Sequence, residues 1–309
     1  MSIVLRGKRA MEFFNAAYND LGRAIRKGNA PRRFDRAVAM QPLLDEMVTY
    51  WGDGVDSLFS YLWKHEGWAK IQRHVQLDLA SRPVQKALNP EDKQFFANLL
   101  ANFSYFDNVD KEAQTIIQGT SVDTFEDAAK FALGQIGVAS PDFELKNDAI
   151  REKLFSRTDA AIFATRNHID SVFGTIIDQF YELGQHPYSK DFVDQLRSDL
   201  GVKTEFEAKR FSLTETGIAS ELAQVETYRR NGVQEKRWNI TGINTRPSHA
   251  ELSGEEIDIA DKFDVGGSAA DHPLDPTLPA EELVNCHCWV SPVVGDDFQL
   301  DPTNIWEGA

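Results

Sequence analysis

The clearest chemistry in this 309-residue chain is carried by two histidines and two cysteines: His249 in RPSHAELSG, His272 in DHPLDP, and Cys286 with Cys288 in VNCHCW. Thiolate and imidazole are the donors a borderline-soft divalent ion prefers, and a Cys2His2 set closes a tetrahedral shell without water. The histidines stand 37 and 14 residues before Cys286, and His287, between the cysteines, is an alternative ligand to either. No other cysteine occurs in the chain. With one intervening residue a disulfide between the pair would be strained and would cross-link nothing, so free thiols in a reducing cytoplasm are expected. Zinc held in this way would be structural, because residues 239–309 offer few large apolar side chains and metal binding can supply the missing folding energy. In the blander reading, His272 bonds a turn before Pro273 and the cysteines are small buried hydrophobes.

A catalytic reading also starts from these residues. His249-Ala250-Glu251 matches the H-x-E element of zinc deaminases, in which the Glu moves protons while zinc activates water. That would make Glu251 a general acid/base in a zinc hydrolase or deaminase. The rest of the pattern departs from it: Pro279 lies seven residues before Cys286, and the cysteine pair has one intervening residue where C-x-x-C has two. Phosphate-binding glycine loops, the G-x-S-x-G elbow and H-E-x-x-H do not occur, since Ala69 stands where a second histidine would follow His65-Glu66.

The elements that must carry these residues read as follows. Met11, Phe14, Tyr18, Leu21 and Ile25 recur at helical spacing, with Arg9, Arg23 and Lys27 on the other side. Helical patterns follow through Leu44 to Leu62, interrupted at Gly52 and Gly54, and then over 68–80, 91–106 and 123–137. One long helix is expected from Asp148 to Leu183, then a short one over 190–200 ended by Gly201, and another from Glu205 to Arg230 closed by Asn231-Gly232. From Val233 the texture changes to short strand-like runs, Val233–Ile240, Lys262–Val265 and Trp289–Val294, between Gly, Pro, Asn and Asp clusters. The expected fold is a mainly α N-terminal region, 1–184, with a small α+β, loop-rich, zinc-stapled C-terminal module, 185–309, whose motif core spans 205–294.

Charge is unevenly spread around a net −15. Residues 1–36 hold nine basic side chains against three acidic ones, whereas 251–309 hold Lys262 alone against fourteen carboxylates. Local charge governs close approach, so Arg9, Arg23, Arg26, Lys27, Arg32 and Arg33 are candidate contacts for DNA or another anionic surface. The plainer alternative is a solvated helix face. No run approaches the ~20 apolar residues of a membrane span, and MSIVLRGKRAMEFF lacks a long apolar signal core, so neither membrane insertion nor export is expected.

An ordered series of residues resembles the minor head proteins of tailed bacteriophages, the head-morphogenesis family typified by the F protein of phage Mu. It runs from Leu213-Thr214-Glu215-Thr216 through Tyr228, Gly232-Val233 and Trp238 to Arg246-Pro247-Ser248-His249 and Leu252-Ser253-Gly254. It continues with Phe263, Gly266-Gly267, Pro273-Leu274-Asp275-Pro276, Pro279 to Glu282, Asn285-Cys286-His287-Cys288 and Pro292. Family members usually carry Arg where this chain has His287, and commonly another residue where it has His272. The resemblance implies a low-copy virion protein made in the host bacterial cytoplasm and incorporated near the portal during procapsid assembly. It also implies association with DNA packaging or ejection, and no turnover. Portal protein, procapsid components and phage double-stranded DNA, reached through the basic N-terminal helix, would be its partners. A virion-carried effector is the remaining alternative.

Overall fold

A computed structural model describes residues 33–64, 106–138, 141–183, 190–242, 245–295, 298–301 and 305–308. Every described element up to Arg230 is a helix: α1 (Arg36–Lys64), α2 (Phe106–Gln135), α3 (Asp148–Phe155), α4 (Thr158–Leu183) and α5 (Lys190–Arg230). Small elements follow: β1 (Glu235–Asn239), α6 (Pro247–Glu251), β2 (Glu256–Asp258), β3 (Phe263–Val265), β4 (Ser268–Ala270), α7 (Ala280–Leu283) and β5 (Trp289–Val293). The expected class, helical first and then small, sheet-poor and loop-rich, is what the chain adopts. No helix among the described residues is long and apolar enough to cross a membrane.

Boundaries differ from the sequence reading in instructive ways. α1 runs unbroken through Pro42, Gly52 and Gly54, because burial of Leu43, Met47, Tyr50, Trp51 and Val55 outweighs the ~1 kcal/mol each glycine costs. α5 likewise continues through Gly201, flanked by buried Leu200 and Thr204. The expected helix from 148 to 183 is instead two: Asn147 caps α3 by accepting from the Ile150 N–H, and after Phe155 a turn over 156–157 intervenes, the Ser156 hydroxyl donating to the Lys153 carbonyl. The helices expected around 11–25 and 68–80, and that over 91–106 except for residue 106, lie outside the described residues.

The chain divides into two compact units, each discontinuous in sequence. One comprises described residues within Glu46–Thr115 and Asp159–Ala208. In it Trp51 and His168 stack with ring centroids 4.4 Å apart, His168 Nε2 lies 3.4 Å from Thr204 Oγ1, and Lys203 Nζ donates to Ser171 Oγ at 2.8 Å, tying α1, α4 and α5 together.

The other unit comprises described residues within Arg6–Asp45, Ile116–Thr158 and Lys209–Ala309. Its larger core packs Phe125, Ala128, Ala129, Ala132 and Leu133 of α2 against Ala219, Leu222, Ala223 and Val225 of α5, with Ile150 and Leu154 of α3 and Val290 of β5. Small residues on facing turns let these helices approach closely. Antiparallel β1 lies between β2 and β5, and β3 pairs with β4 across Gly266-Gly267, both at positive φ. Alternation along β1 turns Lys236 and Trp238 to the buried face. A second core joins Ile218 of α5 to Trp238, Leu252, Phe263, Val265, Leu274, Leu278, Leu283, Cys286 and Cys288. The apolar interior near the C-terminus, sparse in residues 239–309 taken alone, is completed by Ile218 of α5 and Trp238 of β1.

Candidate metal centre

α6 begins with Pro247 at its first position, where a missing N–H costs nothing, and this one-and-a-half-turn helix presents His249 inward. α7 ends at Leu283 with Val284 as its C-cap, and Asn285 then adopts φ 58, a left-handed conformation that asparagine tolerates better than most residues. The turn feeds an extended stretch into β5. Because side chains two apart on an extended backbone share a face, Cys286 and Cys288 point the same way.

They point at His249. Its Nδ1 lies 3.4 Å from Cys288 Sγ and 3.5 Å from Cys286 Sγ, and the three ligand atoms all fall within 4.8 Å of one another. A tetrahedral ion with ordinary zinc–sulfur and zinc–nitrogen bonds sets such atoms ~3.6 Å apart. The three side chains could thus hold a metal ion. They are 1%, 1% and 3% exposed, so the centre is shut off from solvent. Behind the imidazole, Nε2 stands 2.9 Å from Glu282 Oε2, close but not aligned for a linear hydrogen bond, and Ser248 Oγ donates to the same oxygen at 2.9 Å. Trp238 meets the His249 ring edge-on, centroids 5.5 Å apart.

The electrostatics favour sulfur as an anion. The Cys286 thiol is held well below its ordinary value, first by a hydrogen bond from Cys288, with burial opposing and His249 assisting. Cys288 is pushed up by that same bond, by burial and by the charge on Cys286.

Not every expected ligand belongs to this group. His272 is buried, but its Nδ1 lies 2.8 Å from the Pro273 carbonyl and the ring sits beside Asp271 and Asp275; it is not part of the cluster. The bland expectation for His272, a histidine bonded in a turn, describes it correctly. His287 also lies outside the group, because residue 287 of the C-x-C run faces away from its neighbours. Burial, then the positive charges of Arg33, Arg36 and Arg246, lower it to about 4. Glu251 is exposed at the end of α6 and does not join the group. Among the candidate contacts for DNA or portal, Arg9, Arg23, Arg26, Lys27 and Arg32 lie outside the described residues, while Arg33 stacks its guanidinium 5.4 Å from the Trp289 ring centroid.

Sequence reasoning missed Glu282 as a site residue and missed a buried ion pair. Arg36 and Glu221, both with side chains 0% exposed, are paired beside the centre. A second network surrounds Asp271, both of whose carboxylate oxygens accept from Arg229 Nη2 at 2.9 Å while Oδ1 also accepts from the fully buried Lys236 at 2.6 Å. Burial alone would raise the Asp271 carboxyl, but Lys236, His272 and Arg229 together bring it down to about 2. Burial pulls the Lys236 ammonium below its ordinary value despite that partner.

Among known proteins, the chain is 30% identical over 207 residues to Uncharacterized protein YqbB of Bacillus subtilis strain 168. The match covers 65% of this chain and 65% of that protein, so the chain spans somewhat less than two thirds of the relative's length. No protein-family model and no solved structure matches.

Proposed function

We propose that this chain is a minor structural protein of a tailed-phage head, incorporated near the portal during procapsid assembly and associated with DNA packaging or ejection, with a zinc ion stapling its C-terminal module. What supports the reading is that the residues of the series resembling the head-morphogenesis family come together around the buried group of His249, Cys286 and Cys288. His249, Cys286 and Cys288 belong to that series, and so do Trp238, Leu252, Phe263 and Leu274, which pack in the same core. Zinc suits the donors, since two thiolates and one imidazole at tetrahedral spacing are a borderline-soft set.

Among the described residues the group supplies three ligands rather than the four of a closed Cys2His2 shell, and what supports a structural role is the burial of all three and the position of the nearby carboxylates. Glu282 addresses the far nitrogen of His249, as outer carboxylates of metal-bound histidines do, and Glu251 is in solvent. Nothing in that arrangement delivers a proton to a metal-bound water. The basic N-terminal segment remains the proposed contact for DNA or an acidic portal surface, and requires direct approach because cellular salt screens charge beyond ~8 Å.

Mass spectrometry of purified particles, induced from a host that encodes the chain, tests the assembly role. The chain should copurify with portal protein in intact heads. Its presence in the lysate and absence from the particles would contradict the reading.

A further inference from the structure

Arg36, in the first turn of α1, is separated from the cysteines by 250 residues of chain, yet its guanidinium ends on their backbone. Nη2 donates to the Cys288 carbonyl at 2.7 Å, and Nη1 reaches the Cys286 carbonyl at 3.4 Å. The same Nη2 pairs with Glu221 Oε1, and Glu221 Oε2 accepts the Val290 N–H at 2.7 Å. Gln224 Nε2 donates to Glu221 Oε1 at 3.1 Å, fixing the carboxylate on α5. One buried ion pair thus holds three alternate backbone positions, 286, 288 and 290, of the segment that presents both thiols. Gly217 makes room for Leu274 beside this pair: a Cβ there would stand 2.6 Å from Leu274 Cδ1, and at an ordinary contact distance of 3.6 Å from Arg36 Nη1.

We propose that Arg36 is a positioning residue of the metal centre, and that ion binding at His249, Cys286 and Cys288 and docking of the start of α1 are one coupled equilibrium. The inference rests on the metal reading above. A planar guanidinium can bridge two carbonyls spaced i, i+2 and a carboxylate at once, and a lysine ammonium lacks that fork. While both carbonyls are held, the Cys286 and Cys288 side chains share one direction and their sulfurs stay at ligand spacing. An ion that clamps the sulfurs in turn fixes the carbonyls that Arg36 needs, since a buried charge tolerates no loss of partners. Coupling of this kind is reciprocal: what α1 docking does for ion affinity, the ion does for α1 docking.

The test uses the full chain and zinc alone. Hydrogen exchange of residues 33–45 is measured with zinc and after chelation, and zinc affinity is measured by chelator competition in the wild type, Arg36→Lys and Arg36→Gln. Amides of 33–45 should lose protection when zinc is removed, and both variants should bind zinc on the order of 10- to 100-fold more weakly, as outer-shell substitutions do. A purely structural Arg36 would lower stability with and without zinc alike and leave affinity unchanged, which overturns the proposal. Unaltered protection of 33–45 in the wild type overturns it as well, even if the variants do not fold. A wild-type chain that binds no zinc overturns the metal reading and this proposal together, whereas zinc bound with no change at 33–45 overturns the coupling alone.

Discussion

Glu282 Oε2 stands 2.9 Å from Nε2 of His249, on the opposite side of the imidazole from the two cysteine sulfurs. A carboxylate so placed is an outer partner of the imidazole, whose Nδ1 faces the two sulfurs. Glu282→Gln keeps shape but removes the charge. It should weaken zinc binding about 10- to 100-fold while leaving the helical content intact. Calorimetric titration with zinc checks this, and an unchanged affinity would show that the carboxylate does not orient the ligand.

The Asp271 network makes a claim about acid. Its folded carboxyl titrates at about 2, against ~3.9 in an unfolded chain. A carboxyl depressed by folding contributes its stability in full above the unfolded value and loses it as pH falls from ~4 towards 2. The contribution is about 3 kcal/mol. Asp271→Asn should therefore cost at least that at pH 7, more if the buried Lys236 keeps its charge, and the loss should shrink in urea melts near pH 2. Equal losses at both pH values would contradict the assignment.

Which parts of this molecule could be read from sequence follows from how local their causes are. Cys286 and Cys288 were legible because their residue type and i, i+2 spacing are both local, and His249 because a short motif carries it. His272 matched by type alone, and type does not reveal that its Nδ1 is engaged with the next residue's carbonyl. Arg36 and Glu221 left no trace: two charges 185 positions apart look like any exposed pair until packing buries them. The same competition explains α1 and α5, where glycine signals that would stop an isolated helix were overridden by the buried faces of Trp51, Leu200 and their neighbours.

The segment 305–308 is anchored by its backbone and by Trp306. Glu144 N donates to the Glu307 carbonyl at 3.2 Å, Lys146 N and Asn147 N to that of Gly308 at 2.8 and 2.9 Å, and Trp306 packs edge-on against Phe143 at 5.1 Å. Gly308 has φ 105, and a Cβ there would stand 2.1 Å from the Glu144 carbonyl oxygen. Gly308→Ala should lower stability by about 1–3 kcal/mol. An unchanged urea midpoint would mean that the segment contributes nothing to the fold.

Charge reversal at Arg23, Arg26 and Lys27 should weaken cosedimentation of the full chain with double-stranded DNA or portal protein, and the remaining binding should depend less steeply on salt. Unaltered binding and salt dependence would return those residues to ordinary solvation.

Whether the His249, Cys286 and Cys288 group holds zinc is decided by metal analysis of the 309-residue chain purified without added chelator. The account predicts about one zinc per chain, absent from the Cys286→Ser, Cys288→Ser double variant, in which residues 235–293 become susceptible to protease. A wild-type chain that contains no metal, with those residues still resistant to protease, would contradict it.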